Sequence, residues 1–210
     1  MKTQKKLWSA LAALCVATGT VAQPAYNYSK LQKEQLGRGV VAIRENPSDV
    51  VVSWRYLSSD PINTSFNVYR NGEKIAEVPH STGTFYRDTY SGNEKAVYTV
   101  KPVINGVETG KLNGNYTLPA YAPSGYIDIP LDRPAEGVTP SGQKYTYSPN
   151  DASIGDVDGD GEYEIILKWD PSNAHDNAHN GYTGNVYFDC NLLTGEKLWR
   201  IDLGHNVRAG

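Results

Sequence analysis

The protein has 210 residues, of which 20 are basic and 23 acidic, and its formal net charge is −3. This weakly acidic balance argues against nucleic acid or an anionic membrane surface as a partner, because both attract basic proteins. The chain contains 15 Tyr, 4 Trp, 20 Gly and 12 Pro and has almost no helical periodicity, which indicates an all-β protein.

Residues 1–22 have the order of a secretory signal peptide. Three lysines precede an apolar run from residue 7 to residue 17, and small residues follow as far as Ala22, where we expect cleavage. The apolar run is too short to span a bilayer, which needs about 20 residues. We therefore expect a secreted or periplasmic protein without a membrane span. Removal of the three lysines changes the net charge from −3 to −6.

Cysteine usage gives no intrachain disulfide in the mature protein. Cys15 is compatible with a lipid-anchored cysteine, but the large Leu14 precedes it where a small residue is usual, so we assign it to the signal peptide. Cys190 then has no partner and lies in an apolar run. This setting favours a buried, inert thiol over a nucleophile.

Residues 23–37 form a predicted linker, and residues 38–118 a predicted β-sandwich. Short β-branched and aromatic runs predict strands at Val40–Ile43, Val50–Arg55, Phe66–Arg70, Lys74–Val78 and Ala96–Val100. Asn71-Gly72 and Asn105-Gly106 predict tight hairpin turns. About seven strands, with Trp54 on an early strand and Tyr98 on a late one, resemble a fibronectin type III-like domain. We expect both side chains in its core.

Residues 119–149 are rich in Pro, Gly and Ser and predict a connecting segment. Strands are predicted after it at Glu164–Trp169, Asn185–Cys190 and Lys197–Leu203, which make one antiparallel blade-like unit within residues 150–210. Lys197 and Arg200 are interpreted as solvent-facing residues of the last strand.

An acidic loop precedes the first of these strands. Carboxylates stand at Asp156, Asp158 and Asp160, Gly161 permits a sharp turn, and Glu164 supplies a fourth carboxylate. Ca²⁺ takes six to eight oxygen ligands at about 2.3–2.6 Å. The sequence therefore predicts a Ca²⁺ site made by Asp156, Asp158, Asp160, Glu162 through its backbone carbonyl, and Glu164.

Two features distinguish this predicted calcium loop from that of a helix–loop–helix calcium hand. Leu167 occupies the twelfth position, where a helix–loop–helix calcium hand needs a bidentate Glu, and the apolar run after the loop predicts a strand. The alternative is an acidic, solvated turn, because Asp and Gly are turn residues in any case. Three closely spaced Asp side chains repel one another without a cation, which favours calcium.

Five segments of the second half form a recognisable series: Gly155–Gly161, Lys168–Asn173, Gly181–Val186, Leu198–Gly204 and Asn206–Gly210. In this order they resemble bacterial rhamnogalacturonan lyases of polysaccharide lyase family 11. The acidic loop alone is weakly specific, whereas the tryptophan-containing segments in this order are more specific. The resemblance extends from about Gly37 to Gly210.

The resemblance implies a fibronectin-like N-terminal domain joined to an eight-bladed β-propeller with calcium loops. Residues 150–210 hold about one blade, and a propeller needs several. The resemblance therefore implies the N-terminal portion of such an enzyme, either as a fragment or with the remainder encoded separately.

The implied activity is β-elimination in the rhamnose–galacturonate backbone of pectin (rhamnogalacturonan I) by a monomeric enzyme. A base removes the proton beside the galacturonate carboxylate, and Ca²⁺ or a cationic side chain stabilises the resulting charge. No complete set of base and neutralising group is visible in the sequence. We therefore assign no catalytic residue, place the base beyond residue 210, and expect the chain alone to be inactive.

The polar loop after Trp169 is the predicted substrate contact. Its short amide and carboxylate side chains suit sugar hydroxyls, and Trp169 is positioned to stack on a pyranose. The predicted residues are Trp169, Asn173, Asp176, Asn177 and Asn180. The alternative is a solvated connection with Trp169 in the core. His175 and His179 are four residues apart, but without a helix to align them we expect no zinc site.

Two other functions fit parts of the pattern. A sandwich with a polar loop suits a non-catalytic carbohydrate-binding module, and a structural calcium loop suits an adhesion or scaffold protein. Neither accounts for the tryptophan-containing segments as well as a lyase does.

Overall fold

The computed structural model of the protein describes residues 35–110, 113–204 and 207. The predicted signal peptide and most of the predicted linker lie outside these residues. The described part belongs to one compact unit and is all-β, as predicted; its only helical element is a 3-10 turn at His80–Thr82. Within it, no helix has the length and apolar character needed to cross a membrane.

The strands of the described residues are numbered in chain order. They are β1 (Val41–Asn46), β2 (Asp49–Ser53), β3 (Ser65–Arg70), β4 (Glu73–Val78), β5 (Phe85–Thr89), β6 (Ala96–Ile104), β7 (Val107–Glu108), β8 (Gly114–Leu118), β9 (Gly137–Val138), β10 (Lys144–Tyr145), β11 (Tyr147–Gly155), β12 (Glu164–Pro171), β13 (Tyr187–Asn191) and β14 (Lys197–Asp202).

The first half of the chain forms two antiparallel sheets. One has the order β1-β2-β5, and the other has the order β4-β3-β6-β7, with β8 also paired to β6. Buried and less buried residues alternate along β2 and β6, as expected for strands with one face on a core. Trp54 and Tyr98 are 5% and 0% exposed, which confirms both as core residues.

The two predicted asparagine–glycine turns are present. Asn71 and Gly72 have φ angles of 50° and 86°, and Asn105 and Gly106 have 52° and 78°. Two successive residues with positive φ make the turn whose twist matches that of antiparallel strands. These turns connect β3 to β4 and β6 to β7.

The second half forms a four-stranded antiparallel sheet in which β11, β12, β13 and β14 pair in chain order. Its cluster of buried apolar residues is small and contains Tyr147, Leu167 and Trp169, while Val186 and Cys190 are buried as well. The sequence prediction found the last three strands but missed β11. That strand is mostly exposed and polar, and its pairing with β12 is interrupted between Pro149 and Ala152.

The connecting segment contacts both halves. Gly125 donates its amide to the carbonyl of Arg44 at 2.7 Å. Asp132 forms an ion pair with Lys197 on β14. Gly195 has φ of 86°, and a Cβ there would lie 2.5 Å from Cγ of Pro130, so only glycine suits this contact. The predicted domain boundaries at residues 119 and 150 stay a prediction.

Candidate functional site

The acidic loop lies between β11 and β12 and brings three carboxylates together. Asp156, Asp158 and Glu164 each offer an oxygen atom, and these atoms all lie within 4.8 Å of one another. Two ligands on opposite sides of a calcium ion are separated by about twice the Ca–O distance of 2.3–2.6 Å. The spacing of the three oxygens therefore suits one hard cation.

Backbone amides within the loop fix the aspartates. Asp156 accepts hydrogen bonds from the amides of Gly159 at 2.8 Å and Gly161 at 3.1 Å. Asp158 accepts one from the amide of Asp160 at 3.1 Å. Gly159 and Gly161 have φ angles of 81° and 94°, where a side chain is strained. The two glycines allow the reversal that brings Glu164 back beside the aspartates.

Among the carboxylates of this loop, that of Glu164 is the one whose burial most requires a compensating positive charge. Its side chain is 1% exposed and accepts one hydrogen bond, from the amide of Val157 at 2.7 Å. Among the ion pairs of the described residues, none includes Asp156, Asp158 or Glu164. A buried carboxylate beside two others is costly unless a cation compensates it. The donor set therefore fits a bound Ca²⁺.

The other two predicted ligands use their side chains differently. The carboxylate of Asp160 is outside the three-carboxylate group and accepts the amide of Glu162 at 2.8 Å. The side chain of Glu162 accepts the amide of Gly39 at 3.2 Å and lies 3.9 Å from Arg55. Burial raises the pKa of the Glu162 carboxyl, although the Gly39 hydrogen bond and the Arg55 charge act to lower it. The Glu162 backbone carbonyl stays a predicted ligand.

Trp169 is a core residue, which corrects the prediction that it stacks on a sugar. It is 1% exposed and packs against Tyr147 and Leu167. Its indole Nε1 donates to Oδ2 of Asp189 at 2.7 Å. The ring faces are therefore covered, and the core alternative considered for this residue is the one that the structure adopts.

The polar loop after β12 carries the remaining predicted substrate residues. Asn173 is half-buried and accepts the amide of Gly184 at 3.0 Å, which ties the two ends of the loop together. Asp176 is exposed and accepts the amide of Ala178 at 2.7 Å. Asn177 and Asn180 are also exposed. The structure thus leaves Asp176, Asn177 and Asn180 accessible, and their contact with substrate stays a prediction.

A buried polar network around Asp189 was not anticipated. Asp189 is 1% exposed and accepts hydrogen bonds from Arg200 Nε at 2.6 Å and Nη2 at 2.7 Å, besides the bond from Trp169. Arg200, which was interpreted as solvent-facing, is half-buried: its side chain is 23% exposed and forms an ion pair with Asp189. A charged residue within the apolar run of β13 was the sequence signal for such a network.

The two halves of the chain match models of one enzyme family. Residues 31–116 match the rhamnogalacturonan I lyases β-sheet domain, and residues 126–210 match the C-terminal domain of rhamnogalacturonan lyase family 11. Together the two matches cover most of the chain.

Individual relatives agree with these matches. The chain is 45% identical to rhamnogalacturonan endolyase YesW of Bacillus subtilis (strain 168) over 100% of its length and 33% of that protein. It is 48% identical to rhamnogalacturonan exolyase YesX of the same organism, over 86% of its length and 29% of that protein.

Solved structures agree as well. The crystal structure of rhamnogalacturonan lyase YesW superposes with a TM-score of 0.71 at 49% identity, over 85% of this chain and 30% of that one. The Bacillus licheniformis rhamnogalacturonan lyase PL11 gives a TM-score of 0.70 at 48% identity, over the same shares. The chain therefore spans about a third of the length of the relatives it matches, and it belongs to the rhamnogalacturonan lyases of family 11.

Proposed function

We propose that this chain is part of an exported, calcium-dependent lyase that cleaves the rhamnose–galacturonate backbone of pectin by β-elimination. The observation that carries this proposal is the 45% and 48% identity to an endolyase and an exolyase named for rhamnogalacturonan. Because the chain covers only about a third of either protein, the activity of the whole enzyme is inferred by analogy with them.

The architecture belongs to the same proposal. The two antiparallel sheets of residues 38–118 are consistent with a fibronectin type III-like sandwich. The sheet from β11 to β14 has four antiparallel strands in chain order, as a propeller blade does. We assign it as one blade of a calcium-binding propeller.

Asp156, Asp158 and Glu164 would hold Ca²⁺, and the carbonyl of Glu162 and the Asp160 carboxylate are proposed as further ligands. When bound, the ion supplies the positive charge that neutralises these carboxylates and fixes the turn between β11 and β12. We assign a structural role to the ion, because it would join carboxylates from the two ends of the loop between β11 and β12.

The exposed side chains of Asp176, Asn177 and Asn180 offer donors and acceptors for sugar hydroxyls.

In the reaction a base removes the proton at C5 of galacturonate, the bond from C4 to the leaving oxygen breaks, and a C4–C5 double bond remains. The base and the group that neutralises the carboxylate must lie within hydrogen-bond reach of one sugar. We assign neither to this chain.

A chimaera tests the proposal. Residues 31–210 replace the matching part of the Bacillus subtilis endolyase, and release of unsaturated uronides from rhamnogalacturonan I is followed by ultraviolet absorbance. The proposal expects turnover within about tenfold of the parent enzyme. A chimaera that is folded and stable but releases no unsaturated product contradicts it.

A non-catalytic carbohydrate-binding role is the second candidate, and the exposed polar side chains of the loop favour it. Such a module migrates more slowly in a gel that contains rhamnogalacturonan I. The chimaera that carries it produces no ultraviolet absorbance from unsaturated uronides. If the double variant Asn177→Ala, Asn180→Ala is no longer retarded in this gel, the binding surface lies on this loop.

A further inference from the structure

The acidic loop is held by the first half of the chain as well as by its own amides. Gly37 donates its amide to the carbonyl of Gly161 at 2.5 Å. Arg55 Nη1 donates to the carbonyls of Gly37 at 3.2 Å and Gly161 at 3.3 Å. Together with the bond from Gly39 to Glu162, these interactions make one contact, here called the Arg55 contact.

The Arg55 contact depends on close approach between two backbone segments. A Cβ at Gly161 would lie 2.6 Å from the amide nitrogen of Gly37, and a Cβ at Gly37 would lie 2.7 Å from Oε1 of Glu162. The guanidinium carbon of Arg55 lies 4.5 Å from the centre of the Tyr163 ring, and this stacking orients its donors. No larger residue fits at Gly161 without movement of the backbone, whereas a side chain at Gly37 would displace the Glu162 carboxylate.

One residue joins this contact to the three carboxylates. Gly161 donates its amide to Asp156 and presents its carbonyl to Gly37 and Arg55. Its φ of 94° makes the turn after which Glu164 returns to the cluster. Whatever fixes the conformation of Gly161 therefore also fixes the separation between Asp156 and Glu164.

We propose that Arg55 is a positioning residue for the cation site, so that cation binding and the Arg55 contact stabilise each other. This inference rests on the Ca²⁺ site of the proposed function. A loop already held in its bound conformation loses less entropy on binding, which raises affinity. Coupling between two sites is reciprocal, so the cation must strengthen the contact by the same factor.

The direction in which Ca²⁺ affinity changes on removal of Arg55 distinguishes a positioning role from a purely electrostatic one. Arg55 is a cation 3.9 Å from Glu162, and by charge alone its removal increases the affinity of the loop for Ca²⁺. Positioning predicts the opposite. We expect Arg55→Ala to weaken Ca²⁺ binding by about tenfold, within the range usual for coupled sites.

The control is Arg87→Ala, which removes an exposed arginine that pairs with Glu45 on the first sheet. Ca²⁺ titration by calorimetry on the full chain compares the two variants with the wild type. The increase in Tm on adding Ca²⁺ is measured as well, because a purely structural loss lowers Tm equally with and without the ion. An Arg55→Ala affinity equal to or tighter than that of the wild type overturns the proposal.

Hydrogen exchange on the wild-type chain provides the reciprocal test and needs no variant. Ca²⁺ should slow exchange of the Gly37 and Gly39 amides about tenfold and leave the Val68 amide in the sandwich core unchanged. Equal exchange with and without Ca²⁺ overturns the coupling. If the wild-type chain binds no Ca²⁺, both the cation site and the coupling are overturned. If the wild type binds Ca²⁺ and the Arg55→Ala variant binds it with the same affinity, only the coupling is overturned.

Discussion

The two halves of the described chain differ in the size of their apolar cores. The first half has an apolar core of twelve residues from both of its sheets, to which it adds paired charges such as Asp88 with Arg70 at 2.6 Å. The second half has a buried apolar cluster of three residues, and it also buries the charged side chains of Glu164 and Asp189. The first half thus has the larger apolar core, whereas the second half combines a small apolar cluster with two buried carboxylates.

The largest expected effect tests the apolar half. Trp54→Ala should destabilise the first half by about 3–5 kcal/mol, because it removes a buried indole that packs edge-on against Phe66. Urea unfolding followed by circular dichroism measures the loss. Ile62, which is 85% exposed, provides the control as Ile62→Ala, with no change expected. A Trp54 variant as stable as this control would refute an apolar origin of stability.

The next effect tests the polar half. Asp189→Ala should cost about 2–3 kcal/mol, because it leaves the indole N–H of Trp169 buried without an acceptor and removes the ion pair of Arg200. The quantity measured is the urea midpoint of the tryptophan fluorescence change. Asp151→Ala, at an exposed position on β11, is the matched control. Equal midpoints for both variants would show that the Asp189 network contributes little.

Calcium removal tests the cation site proposed for the second half. At a free Ca²⁺ concentration of 100 times Kd, binding adds about 2.7 kcal/mol to stability, and a chelator should remove this increment. Asp158→Ala should abolish the response of Tm to Ca²⁺. Asp160→Ala, whose carboxylate lies outside the three-carboxylate group, should retain part of it. Wild-type melting that is the same in Ca²⁺ and in chelator contradicts the site.

The smallest effect concerns an exposed network on the first half. Hydrogen bonds from Tyr69, then Asn67 and Lys101, lower the pKa of Glu108 to about 2. A lowered pKa means that the contribution of Glu108 is present above its ordinary value of 4.5 and is lost as pH falls towards 2. Solvent screening keeps this contribution below about 1 kcal/mol. The stability difference between wild type and Glu108→Gln should therefore shrink between pH 6 and pH 2.

Local signals in the sequence predicted much of the fold. Asn71-Gly72 produced the expected hairpin because both residues tolerate positive φ, and Cys190 is buried, as its apolar neighbours indicated. Most of the predicted strands end within two or three residues of the observed ones, but β6 extends four residues beyond its predicted end. Strand β11 was missed because an exposed edge strand has no such alternation, and its position is set by pairing with β12.

The candidate site was predictable where spacing along the chain determined it. Asp156 and Asp158 converge because they alternate in one loop, whereas the side chain of Glu162 is drawn to Gly39, a partner 123 residues away. Whether Trp169 contacts a sugar or lies in the core was also left open by the sequence, because its contacts include residues distant along the chain. Its burial depends on Asp189 on the neighbouring strand, a contact that no local pattern of Trp169 records.

The Arg55 contact has a consequence for the order in which the chain folds. Each strand from β11 to β14 pairs with the next one along the chain, so that sheet closes only short loops and should form quickly. The partners Arg55 and Gly161 are 106 residues apart, and a loop of that length closes late. In refolding, the two halves should therefore acquire their sheets before they join. The cation site should reach its full affinity only in this last, slowest step.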